Sequence, residues 1–290
     1  MKELVVISGK GGTGKTSLAA SFSVLAERPV IADCDVDAAD LHLVLATHIR
    51  ERHDFTSGHQ AIIRQADCRG CGTCLKLCRF EAVQKTTRED DVTTYAIDPV
   101  ACEGCGVCVR FCPQRAIDFP ESLCGEWMVS DTRCGPMVHA RLGIAAENSG
   151  KLVSIVRREA RRIAELENRS SIIVDGPPGI GCPVIASLTG ATLVLVVTEP
   201  TVSGEHDLER VLALARHFEM PAAVCVNKWD LNPDMTRRIE AMARRAGAKI
   251  AGRIRFDRAV TAAQLQERAV VETEAPCVAD IQQVWKNINL

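Results

Sequence analysis

The sequence predicts an α/β fold in which a doubly wound, mainly parallel sheet is interrupted once by a small α+β module. Continuous apolar runs recur at residues 4–8, 171–175, 193–197 and 222–226, as expected of strands covered by helices on both faces. A glycine-rich turn and a helical pattern follow the first run. Between about residues 53 and 120, cysteines and short turn-rich segments replace that alternation.

The individual elements follow from the same patterns. In chain order we expect strand 4–8, helix 17–27, strand 29–33, helix 38–46, helix 147–168, strands 171–175, 193–197, 222–226 and 249–254, and a helix from Ala279 to the end. The arginines of the helix at 147–168 are expected to form a solvated face. The interruption spans roughly 60 residues, a size that folds alone only with staples or metals.

Composition excludes several classes of function. The 290 residues are 47% hydrophobic with a formal net charge of −2, so bulk charge favours neither nucleic acid nor a stable membrane association. The first apolar run is too short for a signal peptide, and no run approaches the ~20 residues of a membrane span. Fourteen cysteines without an export signal predict metal ligands rather than disulfides, and a cytoplasmic location.

The stretch Ser8–Ser17 has the strand, glycine-rich turn and helix of a phosphate-binding loop. Its glycines allow a tight turn, and the freed N–H groups and the helix N-terminus face an anion. Lys15 supplies positive charge to the outer phosphates, and the Thr16 hydroxyl can bind magnesium. We therefore expect a nucleoside phosphate to bind here. The predicted binding residues are Gly9, Lys10, Gly11, Gly12, Thr13, Gly14, Lys15, Thr16, Ser17 and, further along the chain, Asn227.

The cysteines of the interruption form two copies of one run, in which Cys-x2-Cys-x2-Cys is followed by a fourth cysteine after three residues. This spacing is typical of cubane 4Fe–4S clusters, and in a two-cluster arrangement each fourth cysteine ligates the other cluster. The alternative, structural zinc, usually uses two separated Cys-x2-Cys pairs. The predicted ligand sets are Cys68, Cys71, Cys74 and Cys112 for one cluster, and Cys102, Cys105, Cys108 and Cys78 for the second.

This module resembles a bacterial two-cluster ferredoxin over roughly residues 62–119. The resemblance implies low-potential, one-electron transfer. The first run departs from the pattern, because Cys78 precedes Arg79 whereas Cys112 precedes Pro113.

A second lysine in the phosphate-binding loop, Lys10 in Gly9-Lys10-Gly11-Gly12, resembles the deviant loop of the MinD/ParA superfamily, which includes the nitrogenase iron protein and the Mrp-type iron–sulfur carriers. The resemblance covers residues 1–50 and about 122–290. It implies an ATPase domain in two parts, 1–60 and 121–290, around a ferredoxin insert at 61–120. It also implies ATP-dependent dimerisation, homomeric or with a related ATPase, in which Lys10 reaches the partner's phosphates.

The same resemblance assigns roles to acidic residues that end predicted strands. Asp35 stands where the family orients the attacking water, making Lys10, Lys15 and Asp35 the catalytic candidates, although Asp37 and Asp40 are rivals for that role. Asp175 stands where the family holds magnesium through water, together with Thr16.

Two further segments resemble the family's base-binding elements. Asn227–Asp230 resembles the adenine-side asparagine motif, and Gly252–Asp257 resembles a base-flanking loop, in which Arg255 replaces the usual proline.

Cys182 lies seven residues after Asp175, the interval at which the nitrogenase iron protein has a cluster-binding cysteine. It could, alone or with Cys124 or Cys134, hold a third, subunit-bridging cluster or a transferred metal. A thiol packed beside a helix start is the alternative.

These features predict an ATP- and magnesium-dependent enzyme that couples dimer closure to electron transfer or metal-cluster handling, with a redox or metal-cluster carrier protein as partner. The first alternative is a spatial-positioning ATPase whose clusters are structural or redox-sensing. The second is an electron-transfer adaptor with a vestigial nucleotide site.

Overall fold

The computed structural model describes residues 1–143 and 148–288, which divide into two compact units. The first unit contains residues 1–53, 126–142 and those from 148 onward. The second contains residues 54–125 and Gly143. Glu147, where one helix was expected to begin, and the last two residues of the chain lie outside the described residues.

Among the described residues the chain forms thirteen strands and ten α-helices. The strands are β1 (Lys2–Ser8), β2 (Val30–Asp33), β3 (His48–His59), β4 (Ile62–Ile63), β5 (Val83–Thr87), β6 (Thr93–Ile97), β7 (Ile117–Asp118), β8 (Glu121–Asp131), β9 (Pro136–Leu142), β10 (Ser171–Pro178), β11 (Leu193–Thr198), β12 (Ala222–Asn227) and β13 (Lys249–Ile254). The helices are α1 (Lys15–Leu25), α2 (Leu41–Val44), α3 (Thr73–Leu77), α4 (Val107–Arg110), α5 (Ser149–Leu166), α6 (Cys182–Leu188), α7 (Val202–His217), α8 (Pro233–Arg245), α9 (Ala259–Gln264) and α10 (Cys277–Ile288).

A nine-stranded sheet has the order β13-β12-β11-β1-β10-β2-β9-β8-β3. All the strand pairs from β13 to β9 are parallel. The central strands contain continuous apolar runs because both of their faces are buried. The carboxyl ends of β1, β2, β10, β11 and β12 therefore meet at one edge of the sheet. The predicted α/β fold with a large, mainly parallel sheet is confirmed.

The core on one side of this sheet joins strand residues to α1 and α10. In α10 the residues Ile281, Val284 and Ile288 are buried. The ring of Trp285 stacks on Phe22 with the centroids 5.2 Å apart. The apolar face of the last helix is thus occupied by the fold itself. Within the described ranges, no helix has both the length and the hydrophobicity to cross a bilayer.

The arginines of α5 do not all form the solvated face that was expected. Arg157 is buried, and its Nε donates to Glu3 Oε1 at 2.7 Å. Its Nη1 donates to the carbonyl oxygens of Ala186 and Thr189 at 2.7 and 2.9 Å. That expectation was wrong for Arg157 because its partner carboxylate lies on β1, far away in the sequence. Arg158 and Arg162 are exposed, as expected.

The second unit repeats one short pattern twice. Strands β4 and β7 pair antiparallel, and β5 and β6 form an antiparallel hairpin. Helices α3 and α4 each begin after a glycine in the left-handed region, Gly72 (φ 73°) and Gly106 (φ 70°). The buried hydrophobic cluster is small and consists of Ala61, Ile63, Cys74, Val83, Tyr95 and Ile117, with five further cysteines packed partly buried against it. Such a core is too small to stabilise a unit of this size without help.

Candidate nucleotide site and cysteine cavities

The turn between β1 and α1 is built so that glycine is required at particular positions. Gly12 and Gly14 have φ values of 78° and 88°, a region that other residues rarely adopt. A Cβ on Gly14 would collide with the amide of Asn227 at the end of β12. That amide donates from Nδ2 to the carbonyl oxygen of Thr13 at 2.8 Å. Asn227 therefore braces the loop from a neighbouring strand.

Lys15, the first residue of α1, is buried between two carboxylates. Its Nζ lies 2.9 Å from Asp175 Oδ1 and 3.1 Å from Asp35 Oδ2. Burial opposes the ammonium charge, but the attraction of Asp175 and Asp35 outweighs it, so the pKa of Lys15 is raised. Lys15 is charged and held at the carboxyl edge of the sheet.

The segment after β2 is fixed by Asp33. Its two carboxylate oxygens accept hydrogen bonds from the backbone N–H groups of Asp35 (3.1 Å) and Leu41 (3.2 Å). Burial, followed by the nearby charge of Asp175, raises the pKa of Asp33 well above its usual range. Burial also raises the pKa of Asp35, although Lys15 counteracts it. Of the three residues considered for orienting water, Asp35 contacts Lys15, whereas Asp37 and Asp40 are exposed.

Oxygen atoms of Asp175 and Thr16 could act as ligands for a cation beside Lys15. Asp175 is 1% exposed, and its Oδ2 has no hydrogen-bond partner among the described residues. The Thr16 hydroxyl lies 3.4 Å from Lys15 Nζ, the same ammonium that contacts Asp175 and Asp35. A carboxylate oxygen and a hydroxyl are ligands that Mg²⁺ accepts. The residues present therefore fit a magnesium ion bound with phosphates.

Lys10 points to a neighbouring strand end in this chain. Its Nζ donates to Ser203 Oγ at 3.0 Å and to Thr201 Oγ1 at 3.4 Å, and lies 3.8 Å from Glu199 Oε2. The other oxygen of Glu199 accepts from Lys228 Nζ at 2.5 Å. Sequence reasoning missed Glu199, although its position directly after β11 was a usable signal.

A cavity of about 210 Å³ adjoins the loop on the side of α9 and α10. Its lining includes Asn227, Lys228 and Phe256, which belong to the two segments predicted to flank a base. Arg255 also lines it, and its guanidinium pairs with Asp280 through contacts of 2.6 and 2.8 Å. The size and the apolar and polar lining suit a nucleobase.

The eight cysteines assigned to clusters line two separate cavities in the second unit. The first is called here the Cys68 cavity, and its cysteines are Cys68, Cys71, Cys74 and Cys112. The second is called the Cys102 cavity, and its cysteines are Cys102, Cys105, Cys108 and Cys78. Within the described part of the chain, no three His, Cys, Asp or Glu side chains converge as they would on a single metal ion. Thiolates of a cubane hold four separate irons, so four cysteines around a common cavity fit such a group.

The remaining candidate cysteines differ in exposure. Cys182 is exposed at the first position of α6. Cys124 is buried, and its Sγ lies 3.0 Å from the carbonyl oxygen of Ser57. Cys134 is half-buried, and burial raises the pKa of its thiol.

A glycine-rich loop between a strand and a helix, facing carboxylates at the ends of parallel strands, defines a P-loop nucleotide-binding protein. The family model described as the CobQ/CobB/MinD/ParA nucleotide binding domain matches residues 4–270, so the chain belongs to that family.

Two curated relatives match most of the chain, and solved structures share its fold. The chain is 31% identical to MJ0578 of Methanocaldococcus jannaschii over 79% of each chain, and 23% identical to MJ0579 of the same organism over 80% of this chain and 83% of that one. The septum site-determining protein MinD of Pyrococcus horikoshii, complexed with Mg-ADP, has a TM-score of 0.60 at 16% identity, with 99% of this chain and 96% of that chain covered. The ParA family ATPase of Chlorobium tepidum has a TM-score of 0.56 at 18% identity, covering 100% and 99%. At these identities the structural likeness shows the fold.

Proposed function

We propose that this protein is a MinD/ParA-type ATPase that carries two 4Fe–4S clusters and couples nucleotide-driven dimer closure to electron transfer or metal-cluster handling. The observation that carries the proposal is that four cysteines line each of two cavities, in the sets that the repeat spacing predicts. We take residues 61–120 as the ferredoxin-type insert and residues 1–60 and 121–290 as the ATPase domain. When bound, the clusters would supply one-electron transfer at low potential.

In the nucleotide site, the residues act by exchanging partners. Phosphates arriving at the loop would take Lys15 from Asp35 and Asp175, because a phosphate dianion competes with carboxylates for the buried ammonium. Asp175 would then hold magnesium through water with the help of Thr16. Asp35 would orient the attacking water, and the Glu199 contact would release Lys10 toward the partner's phosphates.

The chief alternative is a spatial-positioning ATPase in which the clusters are structural or redox-sensing. The comparisons favour it over coupling for the nucleotide domain, because the solved neighbours carry names such as cell division ATPase MinD. The apolar face of α10 is buried in the fold and so is not itself available to bind a membrane surface, as positioning at a membrane would require of it. Liposome pelleting with and without ATP separates the two functions, since robust ATP-dependent pelleting would support positioning.

The coupling proposal is tested by measuring ATP turnover on the full chain with its clusters reduced and oxidised. We expect the two rates to differ, and the difference to disappear in Cys71→Ser, which removes one ligand of the Cys68 cavity. Cys225→Ala is the matched control, because Cys225 is buried in β12 of the first unit. Equal rates in protein with full iron content would contradict coupling and leave the positioning function.

A bridging cluster at Cys182 is tested by iron analysis of the ATP-bound dimer. About sixteen irons per dimer correspond to the two clusters of each chain alone, and about twenty correspond to one additional cluster. Cys182→Ser should return the higher count to sixteen if this exposed thiol is a ligand.

A further inference from the structure

The internal repeat of the second unit places different side chains at matching positions of the two cavities. The first run is Cys68-Arg69-Gly70-Cys71-Gly72-Thr73-Cys74, and the second is Cys102-Glu103-Gly104-Cys105-Gly106-Val107-Cys108. The backbone repeats closely, since the paired glycines have φ values of 66° and 59°, and of 73° and 70°. The two cavities therefore have the same local backbone conformation but different side chains, so each can serve as the control for the other.

The first difference concerns hydrogen bonds to sulfur. Thr73 Oγ1 lies 3.5 Å from Cys71 Sγ, and the backbone N–H of Ala116 donates to Cys112 Sγ at 3.4 Å. A ligating thiolate carries no proton, so the Thr73 hydroxyl becomes the donor in that contact. Val107 stands at the matching position of the other run and has no group to donate. Hydrogen bonds to sulfur disperse negative charge and raise a reduction potential.

The second difference concerns charge. Arg69 lines the Cys68 cavity, and Glu103 lines the Cys102 cavity. One-electron reduction adds a negative charge without making or breaking a bond, changing a 4Fe–4S core from 2+ to 1+. The guanidinium of Arg69 stabilises that added charge, whereas the carboxylate of Glu103 opposes it. Charge and hydrogen bonding therefore act in the same direction.

We infer that the Cys68 cavity sets a higher reduction potential than the Cys102 cavity, and that Arg69 and Thr73 are the residues that raise it. The inference rests on the proposed function, because it requires a cluster in each cavity. A single electron delivered to this unit would then reside at the Cys68 cavity at equilibrium.

The test is an equilibrium redox titration of the full chain with dithionite as electron donor, followed by electron paramagnetic resonance. Two distinct midpoint potentials are expected. Arg69→Gln and Thr73→Val should each lower the higher potential and leave the lower one in place. Glu103→Gln and Val107→Thr should each raise the lower potential only. The double exchange Arg69→Glu with Glu103→Arg should bring the two together or reverse their order.

Lys85→Gln and Glu89→Gln are matched charge controls, because both residues are exposed on the hairpin region at 83–97 and contribute to neither cavity lining. Neither should move a potential. Iron and sulfide analysis before each titration separates two kinds of failure. Protein that binds no clusters after reconstitution overturns the proposed function together with this inference. The inference alone is overturned if the protein holds about eight irons per chain and its two potentials coincide. It is likewise overturned if the Arg69 and Glu103 substitutions shift the potentials in the direction opposite to that expected.

Discussion

The two units of this protein hold their candidate sites by opposite means. In the first unit the phosphate-binding loop is positioned by the protein itself, through Asn227 on Thr13 and through Lys15 between Asp35 and Asp175. In the second unit the cysteines surround two cavities, and the buried core is small. The first site is thus organised before its ligand arrives, whereas the second, under the proposed function, would be organised around its clusters.

This contrast can be measured separately in each unit. All three tryptophans, Trp127, Trp229 and Trp285, lie in the first unit. Their fluorescence reports unfolding of that unit, while visible absorbance of iron and sulfide would report the second.

Removing iron should give the largest effect. Treating the full chain with an iron chelator under reducing conditions should unfold the second unit, because a few buried residues cannot offset the conformational entropy of about 70 residues. Backbone amides of β4–β7 should lose hydrogen-exchange protection, while the tryptophan unfolding transition stays in place. If these amides kept their protection in the metal-free protein, the second unit would not depend on clusters for its stability, and the contrast between the two units would be wrong.

Substituting the loop lysine should have the next largest effect. In Lys15→Met we expect ATP turnover to vanish and nucleotide affinity to fall roughly 10- to 150-fold, as for loss of a hydrogen bond to a charged group. The buried Asp175 carboxylate would also lose its partner, which costs about 3–5 kcal/mol of unfolding free energy.

Calorimetric nucleotide binding and urea unfolding measure the two effects of this substitution. Lys2→Met, at the exposed start of β1, is the control and should change neither. If Lys15→Met turned over ATP near the wild-type rate, Lys15 would have no role in the catalytic site.

The sequence predicted those parts of the molecule whose determinants are local. The central strands contain continuous apolar runs because helices bury both of their faces. The phosphate-binding loop is recognisable because its glycines and lysines all lie within ten residues. Strands β8 and β9 were not predicted, because the buried and exposed positions of β8 do not alternate and because polar His139 and Arg141 interrupt the apolar run of β9.

Contacts between distant residues were equally invisible to the sequence patterns. Arg157 is buried only because Glu3 lies opposite it, 154 positions away. Glu199 meets Lys10 and Lys228 only because three parallel strands end side by side. In both cases the partner's position is set by sheet topology, which no local pattern encodes.

The buried pair of Arg157 and Glu3 offers a third test of the first unit's independence. Arg157→Met should lower its unfolding free energy by about 3–5 kcal/mol, because Glu3 would remain buried with one fewer partner. Tryptophan-detected urea unfolding measures the loss. Arg158→Met, one position along α5 and 69% exposed, should lie within about 0.5 kcal/mol of wild type. Iron content should be unchanged in both variants, and a matched loss of iron would contradict the separation of the two units.

The smallest expected effect is a pH dependence confined to the first unit. Burial, then the neighbouring His42, lowers the pKa of His139 from 6.5 to about 4, and its Nε2 lies 2.8 Å from Ser130 Oγ. The unfolded chain therefore binds a proton below pH 6.5 that the folded chain refuses. Stability from this group is complete above pH 6.5 and is lost as the pH falls through about 4, by about 3 kcal/mol in total.

Asp33 and Asp35 act in the opposite sense, because their raised pKa values favour the fold as the pH falls. The contribution of His139 to the pH dependence must therefore be measured as the difference in unfolding free energy between wild type and a His139 variant. His139→Gln should be less stable than wild type at pH 7, and the gap should narrow at pH 4.5. Tryptophan-detected unfolding at both pH values measures this, with exposed His206→Gln as the control that keeps the wild-type dependence. A gap that stays constant between the two pH values would show that folding does not lower the pKa of His139, and that its site is open to water rather than organised by packing alone.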